Sequence, residues 1–73
     1  MTPDTTRLRD IVLNGRPLST GAETLAELVT EQGFAGVKVA TAINGEFVAE
    51  RTRAGTGLSE GDRIEILSVR QGG

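Results

Sequence analysis

Apolar and polar residues alternate along three short stretches of this chain, at 9–14, 37–43 and 63–67. Alternation with a period of two is typical of a half-buried β-strand, because successive side chains point to opposite faces of a sheet. The pattern therefore predicts three strands. The strand residues predicted in the core are Ile11, Leu13, Val39, Ile43, Ile64 and Ile66, and Val37 and Thr41 are predicted in the second of these strands.

Each of the first two predicted strands runs into an Asn-Gly pair, at 14–15 and at 44–45. Asn-Gly is the strongest short signal for a two-residue hairpin, because a type I′ turn needs a positive φ at both positions. Return strands are therefore predicted from Arg16 and from Glu46. Pro17 cannot donate a hydrogen bond to a neighbouring strand, which places the first return strand at an edge of the sheet.

One stretch, residues 24–32, has helical periodicity. Its apolar positions fall at i, i+3 and i+4 and form a single stripe. They are Leu25, Leu28 and Val29. Thr24 stands before the stripe and Glu27 follows three residues later, which is the capping-box pattern. Gly33 is predicted to end the helix in the left-handed conformation, with Phe34 packing back on the last turn.

The element order is hairpin, helix, hairpin, final strand, which describes a β-grasp (ubiquitin-like) fold of the α+β class. We expect a mixed sheet of four to five strands with one main helix packed on one face. The last strand, 63–68, is predicted to lie centrally and parallel to 9–13, because both are apolar and free of turns. The domain occupies 9–69, after a polar lead-in at 1–8 and before a flexible tail at 70–73.

Composition limits the chemistry expected of the chain. Its 73 residues include neither cysteine nor histidine, so the common nucleophile, general base and zinc ligands are missing. We predict that it is not an enzyme and holds no metal. The net charge is −2 and the basic residues are scattered, so no nucleic-acid partner is expected. The sequence has neither a membrane-length apolar run nor a signal peptide, and a cytoplasmic location is predicted.

The residues after the last predicted strand are candidates for chemistry. A C-terminal carboxylate is a poor electrophile, but adenylation by ATP converts it to an acyl-adenylate that a nucleophile attacks. To react, it must enter another protein's nucleotide site, and glycine permits close backbone approach. From Val69 to Gly73 the extended reach is about 13 Å, at ~3.3 Å per residue. Gly73 is therefore the predicted reactive residue, with Arg70, Gln71 and Gly72 threading the partner's channel.

A second candidate site is a surface that a partner would contact. Glu60, Asp62 and Glu65 are close in sequence. Such carboxylates are often only a solvated face, and the alternative is an acidic docking surface for a basic partner. Apolar residues left on the solvent side of the sheet would add contact area. The candidates are Val12, Ala42 and Phe47 or Val48.

Several motifs of the chain carry a family likeness. They are Ile43-Asn44-Gly45-Glu46-Phe47-Val48, Glu60-Gly61-Asp62-Arg63-Ile64-Glu65-Ile66 and Gln71-Gly72-Gly73, with Val12-Leu13-Asn14-Gly15 and the helix start at Thr24-Leu25. Together they resemble the ThiS family, the sulfur carrier proteins of thiamine biosynthesis, over residues 9–73. No single motif is unique to that family.

The resemblance implies a cycle of reactions on the terminus. A ThiF-type adenylating enzyme uses Mg-ATP to activate the carboxylate of Gly73. Sulfur derived from cysteine through a desulfurase then displaces AMP and leaves a thiocarboxylate. A ThiG-type thiazole synthase accepts that sulfur while it forms the thiazole. The resemblance thus implies a recycled protein cosubstrate that binds no cofactor of its own.

Two alternatives stay open on the sequence. The small subunit of molybdopterin synthase shares the Glu-Gly-Asp-like turn and the Gly-Gly end, so the sulfur acceptor is either the thiazole, molybdopterin or another molecule. The second alternative is that the chain is a ubiquitin-like modifier or a plain binding module. The Asn-Gly-Glu turn and the end at Arg70-Gln71-Gly72-Gly73, which has no proline before its glycines, favour the ThiS family.

Overall fold

The computed structural model describes residues 8–68, which form a five-stranded sheet with one α-helix. The lead-in before Leu8 and the predicted tail lie outside the described residues. The elements, in chain order, are β1 (Arg9–Leu13), β2 (Arg16–Thr20), α1 (Leu25–Glu31), β3 (Val39–Ile43), β4 (Glu46–Val48), the 3₁₀ helix η1 (Glu50–Gly55) and β5 (Arg63–Ser68).

The strand order across the sheet is β2-β1-β5-β3-β4. β5 is therefore the central strand, parallel to β1 and antiparallel to β3. Both features were predicted from the apolar, turn-free character of the first and last strands. Pro17 lies in β2 at the sheet edge, as predicted. The mixed sheet with one helix confirms the β-grasp fold.

The two hairpins have the geometry that their Asn-Gly pairs predict. Asn14 and Asn44 both have φ of 51°, and Gly15 and Gly45 have φ of 84° and 87°. All four residues are thus in the left-handed region that a type I′ turn requires. β1 pairs with β2 across the first turn, and β3 pairs with β4 across the second.

The start of α1 differs in one detail from the predicted capping box. Thr24 is the N-cap, and its Oγ1 accepts the backbone N–H of Glu27 at 3.1 Å, as predicted. The carboxylate of Glu27 was expected to accept the N–H of Thr24. It accepts that of Glu23 instead, at 2.8 Å. The backbone N–H of Leu25 and the carbonyl oxygen of Glu23 are bonded to residues 56 and 58, so this end of the helix is also held by a neighbouring loop.

The C-terminal end of α1 is a Schellman motif, as the sequence predicted. Gly33 has φ of 89°, and its N–H donates to the carbonyl of Thr30 at 3.0 Å. The N–H of Phe34 donates to the carbonyl of Val29, also at 3.0 Å. These are the two hydrogen bonds that define the motif. Phe34 is partly buried and packs against the core, which closes the last turn onto the sheet.

The core lies between α1 and one face of the sheet. Its buried apolar residues are Ile11, Ala22, Leu25, Leu28, Val29, Val39, Leu58, Ile64 and Ile66. Leu13 and Ile43, which were predicted in the core, are only partly buried and pack at its margin. Val37 was predicted in β3 but lies outside that strand and is 46% exposed. Its N–H donates to the carbonyl of Phe34 in a turn, so β3 begins at Val39.

No helix in the described part of the chain is long and apolar enough to cross a membrane.

Candidate functional site

The predicted reactive residue, Gly73, and its neighbours Arg70, Gln71 and Gly72 lie outside the described residues. What the structure describes is the strand that precedes them. β5 has β1 on one side and β3 on the other, and its pairing with β3 continues to Ser68, opposite Val39. The C-terminal residues therefore follow the best-supported strand of the sheet.

Asn14 extends the support of β5 beyond the end of β1. The paired residues of β1 and β5 end at Leu13 opposite Ile64. The side chain of Asn14 then binds the backbone of Ile66 twice: Oδ1 accepts its N–H at 2.9 Å, and Nδ2 donates to its carbonyl at 3.1 Å. One carboxamide thus replaces a further peptide unit in the ladder.

Asn44 makes a similar attachment at the start of β5. Its backbone N–H donates to the carbonyl of Arg63 at 2.7 Å, and its Oδ1 accepts the N–H of Arg63 at 2.9 Å. Its Nδ2 donates to Oδ1 of Asp62 at 3.0 Å. Both hairpin turns are therefore tied to the central strand through their asparagine side chains. The sequence indicated the turns but not these attachments.

The sheet face opposite α1 carries exposed apolar side chains. Phe47 is 72% exposed and lies opposite Ala42, which in turn lies opposite Glu65. Phe47, Ala42 and Glu65 thus form one row of side chains across the strands. In the next row, two residues further along β3 and β5, Leu67 is 61% exposed and lies opposite Ala40. We call these four apolar residues, Phe47, Ala42, Leu67 and Ala40, the outer patch. Monomeric proteins rarely expose clustered large apolar side chains without a partner, so the outer patch is a candidate contact surface.

The structure changes which apolar residues belong to this surface. Val48 was one of two alternatives with Phe47, but it is partly buried and packs against the core. Leu67 was not predicted there. The alternation of β5 contained the signal, because Leu67 has the same parity as Arg63 and Glu65 and is the apolar member of that polar series. Val12 is half-buried and lies opposite Arg63, on the other side of β5 from Ala40 and Ala42.

The three predicted carboxylates differ in their surroundings. Asp62 holds its turn together, since Oδ2 accepts the N–H of Ser59 at 2.8 Å while Oδ1 accepts Nδ2 of Asn44. Glu60 accepts the backbone N–H of Asp10 at 3.1 Å. Glu65 is exposed in the row that contains Phe47. Among the three, Glu65 is thus the carboxylate that borders the outer patch, and a contact role for all three stays a prediction.

Within residues 8–68, no group of three or more His, Cys, Asp or Glu side chains is arranged to hold a metal ion. The described residues instead combine a firmly held central strand with an exposed apolar face.

The chain is similar to a known protein family in sequence and to a solved structure in fold. The sequence model of the ThiS family matches residues 6–73. The fold is similar to the crystal structure of the thiamine biosynthesis protein ThiS from Geobacter metallireducens. That similarity has a TM-score of 0.72 and a sequence identity of 29%, over 88% of this chain and 99% of that chain. No curated protein sequence matches the chain.

Proposed function

The chain belongs to the ThiS family, and we propose that it carries sulfur as a thiocarboxylate on Gly73 for thiazole formation. Family membership supports the coarser statement, that the chain is a sulfur carrier in thiamine biosynthesis. Small carriers of this kind are not catalysts themselves. The thiocarboxylate, its site at Gly73 and the individual partners are the finer parts of the proposal.

The proposed chemistry has two steps on the terminal carboxylate. In the first, an oxygen of the Gly73 carboxylate attacks the α-phosphorus of Mg-ATP in a ThiF-type enzyme, and pyrophosphate leaves. In the second, hydrosulfide attacks the acyl carbon, and AMP leaves with the electron pair of the broken C–O bond. A desulfurase takes the sulfur from cysteine as a persulfide, and a thiol reductant supplies the two electrons that release it as hydrosulfide. The product is a terminal thiocarboxylate, whose sulfur a ThiG-type thiazole synthase would accept. The ATP and its magnesium belong to the activating enzyme.

The observation that carries the proposal is the position of β5. Its central place and the two asparagine attachments hold the strand that ends at Ser68 and directly precedes the tail in the sequence. From Ser68 to Gly73 an extended chain reaches about 16 Å, at ~3.3 Å per residue. A tail that starts from a firmly held strand limits the volume that the terminal carboxylate explores. This would favour adenylation, because the carboxylate must be positioned accurately against the α-phosphorus of ATP.

We further propose that the outer patch is the surface that the activating enzyme contacts. Exposed Phe47 and Leu67 would supply the apolar contact, because burial of apolar surface drives association and aromatic side chains are enriched in the cores of interfaces. Glu65, in the same row as Phe47, would steer a basic region of the partner toward the patch. Glu60 and Asp62 would contribute mainly to the negative electrostatic potential around the outer patch.

The test of the proposed function is the intact mass of the carrier. The purified chain is incubated with a ThiF-type enzyme, Mg-ATP and sodium sulfide. We expect the mass to rise by the difference between sulfur and oxygen, and fragmentation to place the change on Gly73. A parallel sample without ATP controls for reduction or adduct formation.

The same experiment separates the alternatives that the sequence left open. A variant that lacks Gly73 but gains the same mass would contradict the assignment to the terminus. Conjugates between the chain and protein lysines, formed with ATP in a cell extract in place of a thiocarboxylate, would indicate a modifier. If the thiocarboxylate forms but the purified ThiG-type enzyme does not consume it, while a molybdopterin synthase does, the proposed acceptor is wrong.

A further inference from the structure

A groove lies on the helix side of the molecule, between α1, the segment joining α1 to β3, and η1. It encloses about 490 Å³, and its apolar lining includes Val29, Phe34 and Val37. The charged residues that line it are Lys38, Glu50 and Arg53. Two cations therefore accompany one carboxylate, although the net charge of the whole chain is −2. The groove is a locally basic, partly apolar feature of an acidic protein.

Arg53 is an unusual member of this lining, because its side chain is buried and only 8% exposed. Nε donates to Oγ1 of Thr41 at 2.9 Å, and Nη2 donates to the carbonyl of Val39 at 2.7 Å. Both acceptors are neutral. Within residues 8–68, no carboxylate accepts a hydrogen bond from Arg53. A buried cation without an anion is costly, so the guanidinium is suited to receive one.

Arg53 has further donors that make no hydrogen bond to residues 8–68. Nη1 has no acceptor among residues 8–68, where every buried side-chain nitrogen and oxygen is hydrogen-bonded. Nη1 therefore keeps some exposure, and Arg53 is among the residues that line the groove. The planar guanidinium holds its N–H groups in a fixed fork that matches the oxygens of a carboxylate.

We propose that this groove binds a glutamate or aspartate side chain of a partner protein, with apolar neighbours of that residue against the groove wall. Arg53 would hold the carboxylate, and exposed Lys38 would add a second charge at the rim. Val29, Phe34 and Val37 would contact the flanking apolar side chains. The groove and the outer patch lie on opposite sides of the sheet, so this site is independent of the proposed terminal chemistry.

The probe is a blocked pentapeptide with a central glutamate between two apolar residues, titrated into the ¹⁵N-labelled full chain. We expect saturable shifts of the backbone amides of Val37, Lys38 and Ala54 and of the Arg53 Nε–H. The same peptide with glutamine at its centre should bind at least about tenfold more weakly, because it loses the charge-assisted pair. Sodium acetate at equal concentration should shift the same signals less. Equal binding of the two peptides, or shifts confined to Phe47 and Leu67, would overturn the proposal.

Two variants with the same charge change provide a matched comparison. Lys38→Glu should weaken binding of the glutamate peptide about tenfold or more, because it brings a like charge to the bound carboxylate. Arg51→Glu alters an exposed residue of η1 that does not line the groove. It should change the affinity by less than about threefold, as surface charges outside a contact do. Equal losses in the two variants would mean a general charge effect and contradict the site.

Arg53 itself is tested with Arg53→Lys, which keeps the charge but loses the fork. We expect weaker binding of the glutamate peptide, since an ammonium does not reproduce bidentate pairing. Thermal unfolding is measured alongside, because Arg53 also holds Thr41 and the carbonyl of Val39. If Arg53→Lys folds and binds the peptide as well as the natural chain, Arg53 is not the carboxylate ligand. If it does not fold, the Lys38 comparison decides.

Discussion

Asn14 and Asn44 each perform two structural tasks. Their backbones adopt a positive φ for the hairpin turn, and their carboxamides hydrogen-bond to β5 or to the residue before it. Glycine could satisfy the first task but has no side chain for the second. Aspartate at position 44 would bring a carboxylate against that of Asp62. Asparagine is therefore the residue that fits both requirements at these positions.

Substitution of Asn14 separates the two tasks. Asn14→Gly keeps the turn and loses two hydrogen bonds to Ile66, so it should reduce the free energy of unfolding by about 1–3 kcal/mol, at roughly 0.5–1.5 per bond. Asn14→Ala should lose about 1–2 kcal/mol more, the cost of left-handed backbone for a residue with Cβ. Urea melts measure both. Equal stability of Asn14→Gly and the natural chain would show that the carboxamide contributes nothing.

The sequence predicted the residues whose role is local and failed where the role depends on distant parts of the chain. Thr24 and Gly33 were correctly predicted as the two ends of α1, because capping depends on neighbours a few residues away. The contacts of Asn14 with Ile66 span 52 residues, and no local pattern encodes them. The burial of Arg53 and Leu58 was not predicted, for the same reason. A charged residue and a single leucine in a polar stretch show no period.

The helix α1 is stabilised by the sheet on which it lies. Its seven residues, Leu25–Glu31, are too few for stability alone, since isolated helices shorter than ~12–15 residues are marginal in water. Leu25 and Leu28 are completely buried, and Val29 is nearly so. The sequence predicted this stripe because apolar spacing specifies which helix face is buried. That this face packs on the sheet follows from the order of the elements along the chain.

Truncation of the buried stripe should therefore affect the whole domain. Leu28→Ala is expected to reduce the free energy of unfolding by about 2–5 kcal/mol, from lost transfer energy and a residual cavity. Thr30→Ala, on the exposed side of the same helix, should change it by less than about 0.5 kcal/mol. Urea melts followed by circular dichroism give both values. A loss well below 1 kcal/mol for Leu28→Ala would be incompatible with its burial against the sheet.

The 3₁₀ helix η1 shows how a polar segment becomes part of the interior. Arg53 crosses from η1 to β3, where it binds Thr41 and Val39. Thr41 is itself buried, and its hydroxyl donates to the carbonyl of Val48 at 2.8 Å. This chain of hydrogen bonds joins η1, β3 and β4 beside the apolar core. Buried polar groups are acceptable in such a network because their fully buried atoms are hydrogen-bonded.

The molecule as a whole presents its apolar outer patch on the sheet face opposite α1. If that patch contacts the activating enzyme, Phe47→Ser and Leu67→Ser should each weaken association by about tenfold or more, as central apolar contacts do. Both side chains are exposed, so the melting temperature should hardly change. Arg51→Ser, an exposed change in η1 that lies outside both the outer patch and the groove, serves as the control. Affinities from surface plasmon resonance that are the same for all three variants would contradict the proposed contact.

The prediction for the tail depends on how firmly the central strand is held. Because the end of β5 is fixed, the length of the tail determines how far the terminal carboxylate can reach. Removal of Gly73 should leave the melting temperature unchanged and abolish formation of the thiocarboxylate. Adding one residue after Gly73 displaces the carboxylate by about 3.3 Å. That variant should also be inactive, since a misplacement of ~1 Å can already cost about a hundredfold in rate.

Gly72→Val tests whether the tail enters a narrow channel of the activating enzyme, without changing the length of the tail. Its branched side chain restricts the backbone and widens the segment that must enter the activating enzyme. The terminal carboxylate keeps its chemical identity, so we expect binding through the outer patch to persist while adenylation is lost. ATP–pyrophosphate exchange measures adenylation, and surface plasmon resonance measures binding. Exchange at the natural rate with Gly72→Val would mean that the partner's site does not enclose this part of the chain, and that Gly72 has no steric role.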